Sequence, residues 1–209
     1  MPSSPDDVAP SNGEDRVFTI PNLITVIRLC LLPVFVWLLF GQDDRAAAAW
    51  LLAALGTTDF FDGYVARHFN QVSELGKVLD PVADRLLFFV GVGSILIDGS
   101  VPVWFAVAVL VREALVAGAT LTLAAMGAAR VDVTWFGKAG AFGLMIAFPF
   151  FLGSHSDLSW AETSGDLAWV AGIPGLLLAW WSLVLYVPLA RRALRDGRAA
   201  AAVEAGAAR

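Results

Sequence analysis

Long apolar runs alternate with short polar segments along most of the chain, and each run is about twenty residues long. The first run begins at Thr19 and ends at Phe40. A helix of twenty residues spans the ~30 Å hydrocarbon core of a bilayer. Five further runs follow, at about 45–67, 75–97, 101–126, 135–152 and 168–189. The pattern predicts an all-α, polytopic membrane protein with six transmembrane helices.

Polar or alanine-rich segments flank the six runs. Residues 1–15 are acidic and lack the basic n-region of a cleavable signal peptide. We expect residues 1–16 to form a disordered acidic tail, residues 17–195 the six-helix membrane domain, and residues 196–209 a flexible C-terminal tail.

Composition agrees with a membrane protein. Of the 209 residues, 58% are hydrophobic and 16% are charged, whereas soluble domains carry about 25% charged residues. The net charge of −5 argues against nucleic acid as a partner. Cys30 is the single cysteine, so an intrachain disulfide is excluded.

Basic residues concentrate on one side of the predicted bundle, which orients it. The opposite side carries Arg45 alone, and the 5–6 loop has no Lys or Arg. By the positive-inside rule we expect both termini to lie in the cytoplasm, with the helices spanning the cell membrane. The basic residues on the predicted cytoplasmic side are Arg16, Arg67, Lys77, Arg130, Lys138, Arg191, Arg192, Arg195, Arg198 and Arg209.

Four aspartates interrupt the second and third runs. An ionisable group at the centre of a membrane span costs roughly 2.5–3.5 kcal/mol on insertion scales. Asp59 and Asp62 share one helical stripe with Gly63 and Ala66, while Asp80 and Asp84 share another with Gly76. Two antiparallel helices can turn these stripes towards each other, so the four carboxylates are predicted to converge.

Carboxylates at such short distances from one another need a compensating positive charge. One or two divalent cations would supply it, and hard oxygen ligands favour Mg²⁺, Mn²⁺ or Ca²⁺ over zinc. Gly63 and Ala66 leave their part of the stripe without bulk, which lets a ligand or a neighbouring backbone approach closely.

The full spacing around the aspartates resembles the signature of the CDP-alcohol phosphatidyltransferases. It reads Asp59-x-x-Asp62-Gly63-x-x-Ala66-Arg67, eight residues, then Gly76-x-x-x-Asp80-x-x-x-Asp84. The likeness extends to the Pro-Asn-x-x-Thr-x-x-Arg start at residues 21–28, to Arg112-Glu113 and to Gly137-Lys138, and covers about residues 17–192. It implies six helices, a homodimer, and transfer of a phosphatidyl group from CDP-diacylglycerol to an alcohol with release of CMP.

The resemblance also implies roles for single residues. Asp59, Asp62 and Asp80 would bind two Mg²⁺ ions, with Mn²⁺ as the alternative. Asp84 would border the metal site and act as the general base for the incoming hydroxyl, in a pocket that faces the cytoplasm. The CDP moiety would be bound by Gly63, Ala66, Arg67, Gly76, Asn22 and Thr25.

Two departures from the pattern of related enzymes bear on the identity of the acceptor alcohol. The chain is most similar to phosphatidylglycerophosphate synthases and CMP-forming cardiolipin synthases. In the former, a second arginine follows the Arg-Glu of the fourth span, and a second lysine follows the Gly-Lys of the fifth. Neither extra charge is present after Arg112 or Lys138, the two residues assigned to the acceptor. We therefore expect the less anionic acceptor phosphatidylglycerol, with glycerol 3-phosphate as the alternative.

Other interpretations stay open on sequence grounds. The aspartates could form the relay of an intramembrane cation or proton transporter, or belong to a non-catalytic scaffold. Arg28 could be an ion-pair partner or a ligand contact, Arg85 is interpreted as a structural counter-ion, and Lys138 could be an interfacial anchor. We expect an interfacial belt of tryptophans, namely Trp37, Trp50, Trp104, Trp135 and Trp160.

Overall fold

Six α-helices make up the part of the chain that the structure describes. The computed structural model describes residues 20–69, 74–128, 134–157 and 159–207, without the side chains of 20–22, 59–82, 196 and 198–207. The helices are α1 (Ile20–Phe40), α2 (Arg45–Phe69), α3 (Glu74–Asp98), α4 (Val103–Ala125), α5 (Trp135–Ser154) and α6 (Ala161–Ala207). These residues contain no strand, so the all-α prediction is confirmed. The predicted tail at 1–16 lies outside them.

Four of the helices contain segments long and apolar enough to cross a membrane, which fits a multi-pass membrane protein. The segments are Leu23–Phe40, Val103–Ala125, Trp135–Ser154 and Ala161–Arg195. The side chains of α2 and α3 are described only over residues 45–58 and 83–98, and these stretches are shorter than a membrane span, so the same test does not reach either helix. Six spans and cytoplasmic termini therefore remain predictions.

The sequence predicts the ends of α1 to α5 to within two residues, but it is wrong about α6. The sixth helix is predicted at about 168–189, whereas α6 begins at Ala161 and continues to Ala207. The prediction followed apolarity, which ends near Leu189. Alanine, arginine and glutamate are strong helix formers, so the helix continues where the apolar run stops. The flexibility predicted for residues 196–209 stays a prediction.

Tryptophans lie at the helix ends, as an interfacial belt requires. Trp37 ends α1, while Trp50, Trp104 and Trp160 lie near the starts of α2, α4 and α6. The rings of Trp50 and Trp160 meet edge to face at 6.0 Å between centroids. Trp135 begins α5 at the opposite end, where it is exposed. Amphipathic rings at both ends match the two faces of a bilayer.

The hydrophobic core draws buried residues from all six helices. Its largest fully buried side chains include Phe35, Ile95 and Phe105. The Phe105 ring packs against Phe151 at 5.3 Å and against Trp169 at 5.8 Å between centroids. Many large apolar side chains also lie on the outer surface, where a lipid environment would cover them.

Glycine allows α5 and α6 to approach at backbone distance. A Cβ atom at Gly140 would lie 2.6 Å from the backbone N of Ala179 and 2.9 Å from the carbonyl O of Gly175. A Cβ atom at Gly143 would lie 3.0 Å from the Cα of Gly175. Small residues at helix contacts are the common device for close packing inside membranes. These glycines therefore bring the backbones of α5 and α6 into direct contact.

We expect Gly140→Ala to destabilise the protein by about 1–3 kcal/mol, because the new methyl group meets backbone atoms that cannot rotate away. Gly118→Ala on α4 is the matched control, since a Cβ there meets nothing within 4 Å and alanine favours a helix. Thermal unfolding in detergent, followed by tryptophan fluorescence, compares the two variants. Equal melting temperatures would contradict the close α5–α6 packing.

Candidate active site

Asp84 is the one member of the aspartate cluster whose side chain the structure describes. Its Oδ1 accepts a hydrogen bond from Nη1 of Arg28 at 2.8 Å, which joins α3 to α1. The Arg28 side chain is only 5% exposed, whereas that of Asp84 is 48% exposed. Of the two readings of Arg28, this contact supports the ion pair. The Asp84 carboxylate thus contacts the buried Arg28 guanidinium on one side and is exposed on the other.

The open surface of Asp84 faces a cavity between α2, α3, α4 and α5. The cavity has a volume of about 260 Å³. Among the described residues that line it, Asp84, Arg85 and Glu113 are charged, and the others are apolar or small. Gly56 lies on the α2 side, where a Cβ would come 2.8 Å from Cγ of Met145. The cavity is a mostly apolar pocket with a few polar groups, the usual make-up of a ligand site.

The neighbouring Arg112 is buried and held on three sides. Its Nη1 donates to Glu113 Oε2 at 2.7 Å, its Nη2 donates to Ser182 Oγ at 3.0 Å, and its Nε donates to the carbonyl O of Ala179 at 3.3 Å. These contacts tie α4 to α6, and Glu113 presents its carboxylate to the cavity. The acceptor-binding role that the sequence gives to Arg112 is untested.

Two charged residues that line the cavity, Glu113 and Arg85, were not predicted from the sequence to contact a ligand. Glu113 was noted within the Arg112-Glu113 pair but given no function, although an ionisable residue inside an apolar run is itself a signal. Arg85 was interpreted as a counter-ion. Within the described part of the chain, the half-buried Arg85 side chain has no hydrogen bond or ion pair.

Two contacts fix how α2 and α3 run past each other. Arg45 donates from Nε and Nη2 to both carboxylate oxygens of Asp98, at 3.2 and 3.0 Å. Further along, Cδ1 of Leu52 lies 3.6 Å from the Cβ position of Gly91. Leu52 is seven residues after Arg45, and Gly91 is seven residues before Asp98. The two helices are therefore antiparallel, with the same register at both contacts.

The same register continues to the aspartates. Another seven residues is close to two helical turns, or about 10.5 Å, and it brings position 59 of α2 to the level of position 84 of α3. Four residues more bring position 63 to the level of position 80. Continued along ideal helices, this register would place Asp59 and Asp62 on α2 at the heights of Asp84 and Asp80 on α3.

The remaining predicted site residues lie on the same helices. Thr25 is buried, one turn before Arg28 on α1. Lys138 is exposed on α5, on the same stripe as Ala141 and Met145, which line the cavity. The other predicted site residues lie on α1, α2 or α3, and the structure describes only their backbone. They are Asn22, Asp59, Asp62, Gly63, Ala66, Arg67, Gly76 and Asp80.

A metal centre is not visible in the side chains that the structure describes. They contain no group of three His, Cys, Asp or Glu residues able to hold an ion. The side chains of Asp59, Asp62 and Asp80 fall outside that set, and the metal site stays a prediction. The donor chemistry itself fits, because the half-exposed Asp84 offers carboxylate oxygen, which hard divalent ions prefer.

Comparison with known proteins identifies a family. A family model described as CDP-alcohol phosphatidyltransferase matches residues 18–189. A Mycobacterium tuberculosis protein named "Putative cardiolipin synthase" is 38% identical over 174 residues, 83% of each chain. A Streptomyces coelicolor protein named "Cardiolipin synthase (CMP-forming)" is 37% identical over 191 residues, 89% of each chain.

A third relative carries a different name. The Escherichia coli protein named "CDP-diacylglycerol--glycerol-3-phosphate 3-phosphatidyltransferase" is 32% identical over 187 residues, which are 86% of this chain and 98% of the relative. No solved structure gives a significant match. Two of these names therefore state cardiolipin as the product, and the third states glycerol 3-phosphate as the acceptor.

Proposed function

The chain belongs to the CDP-alcohol phosphatidyltransferase family, and from this we propose that it transfers a phosphatidyl group from CDP-diacylglycerol to phosphatidylglycerol, forming cardiolipin and CMP. It is an enzyme of phospholipid biosynthesis. Membership of an enzyme family removes the transporter and scaffold alternatives. The proposal concerns the acceptor, the metal and the roles of single residues.

The observation that carries the proposed mechanism is the half-exposed Asp84 carboxylate in the cavity, backed by buried Arg28. The Asp84 carboxylate reaches the cavity, and a carboxylate can accept a proton from a hydroxyl within hydrogen-bond distance. We assign Asp84 as the base that takes the proton of the acceptor hydroxyl as its oxygen attacks phosphorus. Arg28 then holds the carboxylate in place.

Asp59, Asp62 and Asp80, with Asp84 at the border, would hold Mg²⁺, with two ions expected and Mn²⁺ as the alternative. The matching heights of these positions on α2 and α3 support such a set. When bound, divalent ions neutralise the diphosphate and stabilise the charge on the leaving CMP phosphate. The protein's own contribution is to keep acidic groups of two helices together.

Residues around the aspartates would bind the nucleotide. Gly63, Ala66 and Gly76 add little or no side-chain bulk, which leaves space for the CDP moiety beside the helices. Arg67 follows Ala66 directly, and a guanidinium can bind a phosphate through two parallel hydrogen bonds. Asn22 and Thr25 would contact the nucleotide from α1, where Thr25 is buried near Arg28.

The charge of the cavity favours phosphatidylglycerol over glycerol 3-phosphate. The phosphate monoester of glycerol 3-phosphate carries close to two negative charges and needs several cationic donors. Arg112 is already hydrogen bonded to Glu113 and to α6. Among the described residues, Arg85 and the exposed Lys138 are then the cations that could bind the phosphate of the acceptor. A singly charged phosphodiester matches that supply.

We further propose that the enzyme acts as a homodimer in the cell membrane, with its active site on the cytoplasmic side. Arg191, Arg192 and Arg195 lie near the end of the apolar part of α6, as the positive-inside rule requires of a cytoplasmic end. At the other end of the bundle, the connection between α5 and α6 carries Asp157 and no Lys or Arg, Glu162 lies in the first turn of α6, and Arg45 is the basic residue on that side.

The acceptor is tested by supplying each alcohol separately. Purified protein with Mg²⁺ and CDP-diacylglycerol should turn over at least about tenfold faster with phosphatidylglycerol than with glycerol 3-phosphate. Mass spectrometry of the lipids should find cardiolipin. Rapid formation of phosphatidylglycerophosphate from glycerol 3-phosphate, with no cardiolipin from phosphatidylglycerol, would assign the chain to the alternative acceptor.

A further inference from the structure

We propose that Arg85 binds the phosphodiester of the acceptor lipid inside the cavity, beside Asp84. This inference deepens the proposed function and rests on it. It replaces the interpretation of Arg85 as a counter-ion, and it gives the cavity a defined chemistry. The ligand class is a monoanionic phosphate diester that carries a free hydroxyl.

The first step concerns the charges that line the cavity. Each of the two carboxylates has an arginine of its own: Asp84 accepts from Arg28 at 2.8 Å, and Glu113 accepts from Arg112 at 2.7 Å. Both of these arginines are buried, with exposures of 5% and 8%. The two acidic groups are therefore neutralised by cations other than Arg85.

The second step concerns the charge of Arg85. Arg85 is the third charged residue of the cavity lining, and no other described side chain pairs with it. Among the described residues that line the cavity, the uncompensated charge is thus positive. The surrounding wall is mostly apolar, including Leu87 and Phe88, and a charge in such surroundings attracts an anion more strongly than it would in water. An anionic ligand is the natural complement.

The third step concerns geometry along α3. Arg85 follows Asp84 directly, so the two side chains leave the helix about 100° apart and still border one cavity. In phosphatidylglycerol a three-carbon glycerol unit separates the phosphodiester from the reacting hydroxyl. One end of that unit can lie at the guanidinium while the other lies at the base. Arg85 would then position the acceptor hydroxyl for Asp84.

The test measures the two lipid substrates separately. We expect Arg85→Gln to raise the KM for phosphatidylglycerol by about 10- to 100-fold, the factor for loss of a charge-assisted hydrogen bond. The KM for CDP-diacylglycerol should change less than about twofold, because its diphosphate would be bound elsewhere. Arg85→Lys keeps the charge but loses the guanidinium fork, so it should restore part of the acceptor affinity.

Arg191→Gln makes the same chemical change on an exposed part of α6 outside the cavity, and it should leave both KM values unaltered. If Arg85→Gln does not fold, the Arg85→Lys measurement decides alone, with an expected rise confined to the acceptor. An unchanged acceptor KM, or an equal rise in both KM values, would overturn the role of Arg85. A folded wild-type protein that releases no CMP with either acceptor would instead contradict the proposed function.

Discussion

We expect the Asp84→Asn variant to release CMP from CDP-diacylglycerol about 10²- to 10⁴-fold more slowly than the wild type, the usual contribution of a general base. The amide fills the same space but cannot take the proton of the acceptor hydroxyl. The measurement is CMP formation by purified protein at saturating Mg²⁺, phosphatidylglycerol and CDP-diacylglycerol. Turnover at the wild-type rate would remove Asp84 from the mechanism.

The control for this variant follows from its ion pair. Arg28 is 5% exposed whereas Asp84 is 48% exposed, so loss of this part-buried ion pair in Asp84→Asn is expected to lower the melting temperature as well, by less than loss of a fully buried pair would. The double variant Arg28→Gln, Asp84→Asn removes the buried charge and should recover stability without recovering activity. A stable double variant with wild-type turnover would contradict the assigned base.

The second large effect is expected from removal of divalent metal. Chelation should reduce CMP release by about 10³-fold or more, because metal ions contribute several kcal/mol of charge stabilisation at a transferring phosphate. Added Mg²⁺ should restore the rate. The measurement is a Mg²⁺ titration of initial rates after treatment with a chelator.

Asp62→Asn provides the matched variant for the metal. With one fewer carboxylate, half-maximal activity should require at least about tenfold more Mg²⁺. Thermal unfolding of the chelated wild type should confirm that the fold survives. Full activity in the presence of excess chelator would contradict a divalent metal at the aspartates.

The helices were the most predictable part of this protein. Apolar runs of about twenty residues gave α1 to α5 nearly to their ends, because solvation by lipid and the span of a bilayer act on every residue of a run. The last helix shows the limit of that reasoning. Apolarity ends near Leu189, but helix formation depends on backbone hydrogen bonds and propensity, and α6 continues through an alanine-rich segment to Ala207.

The site was predictable where spacing along one helix was enough. Positions 59, 62, 80 and 84 fall on α2 and α3, as their periodicity indicates. The partners of these residues depend on contacts between helices that are distant in sequence. Arg28 and Asp84 are 56 residues apart, and no periodicity relates them.

The surroundings of the acceptor were the least predictable part. The resemblance assigns Arg112 to the acceptor, a role that stays a prediction, and the Arg112 guanidinium contacts Ser182 and the carbonyl of Ala179 on α6. Glu113 and Arg85 are the neighbours that border the cavity. Which member of a charged pair packs and which lines a cavity depends on helix rotation, and short polar motifs do not encode it.

Acceptor-dependent release of CMP is the most direct test of the central claim, which is that the aspartates of α2 and α3 form a phosphatidyl-transfer site. Purified wild-type protein, reconstituted in vesicles with CDP-diacylglycerol, Mg²⁺ and phosphatidylglycerol, should form CMP and cardiolipin in equal amounts. Folded protein that leaves CDP-diacylglycerol intact, with either phosphatidylglycerol or glycerol 3-phosphate present, would contradict the claim.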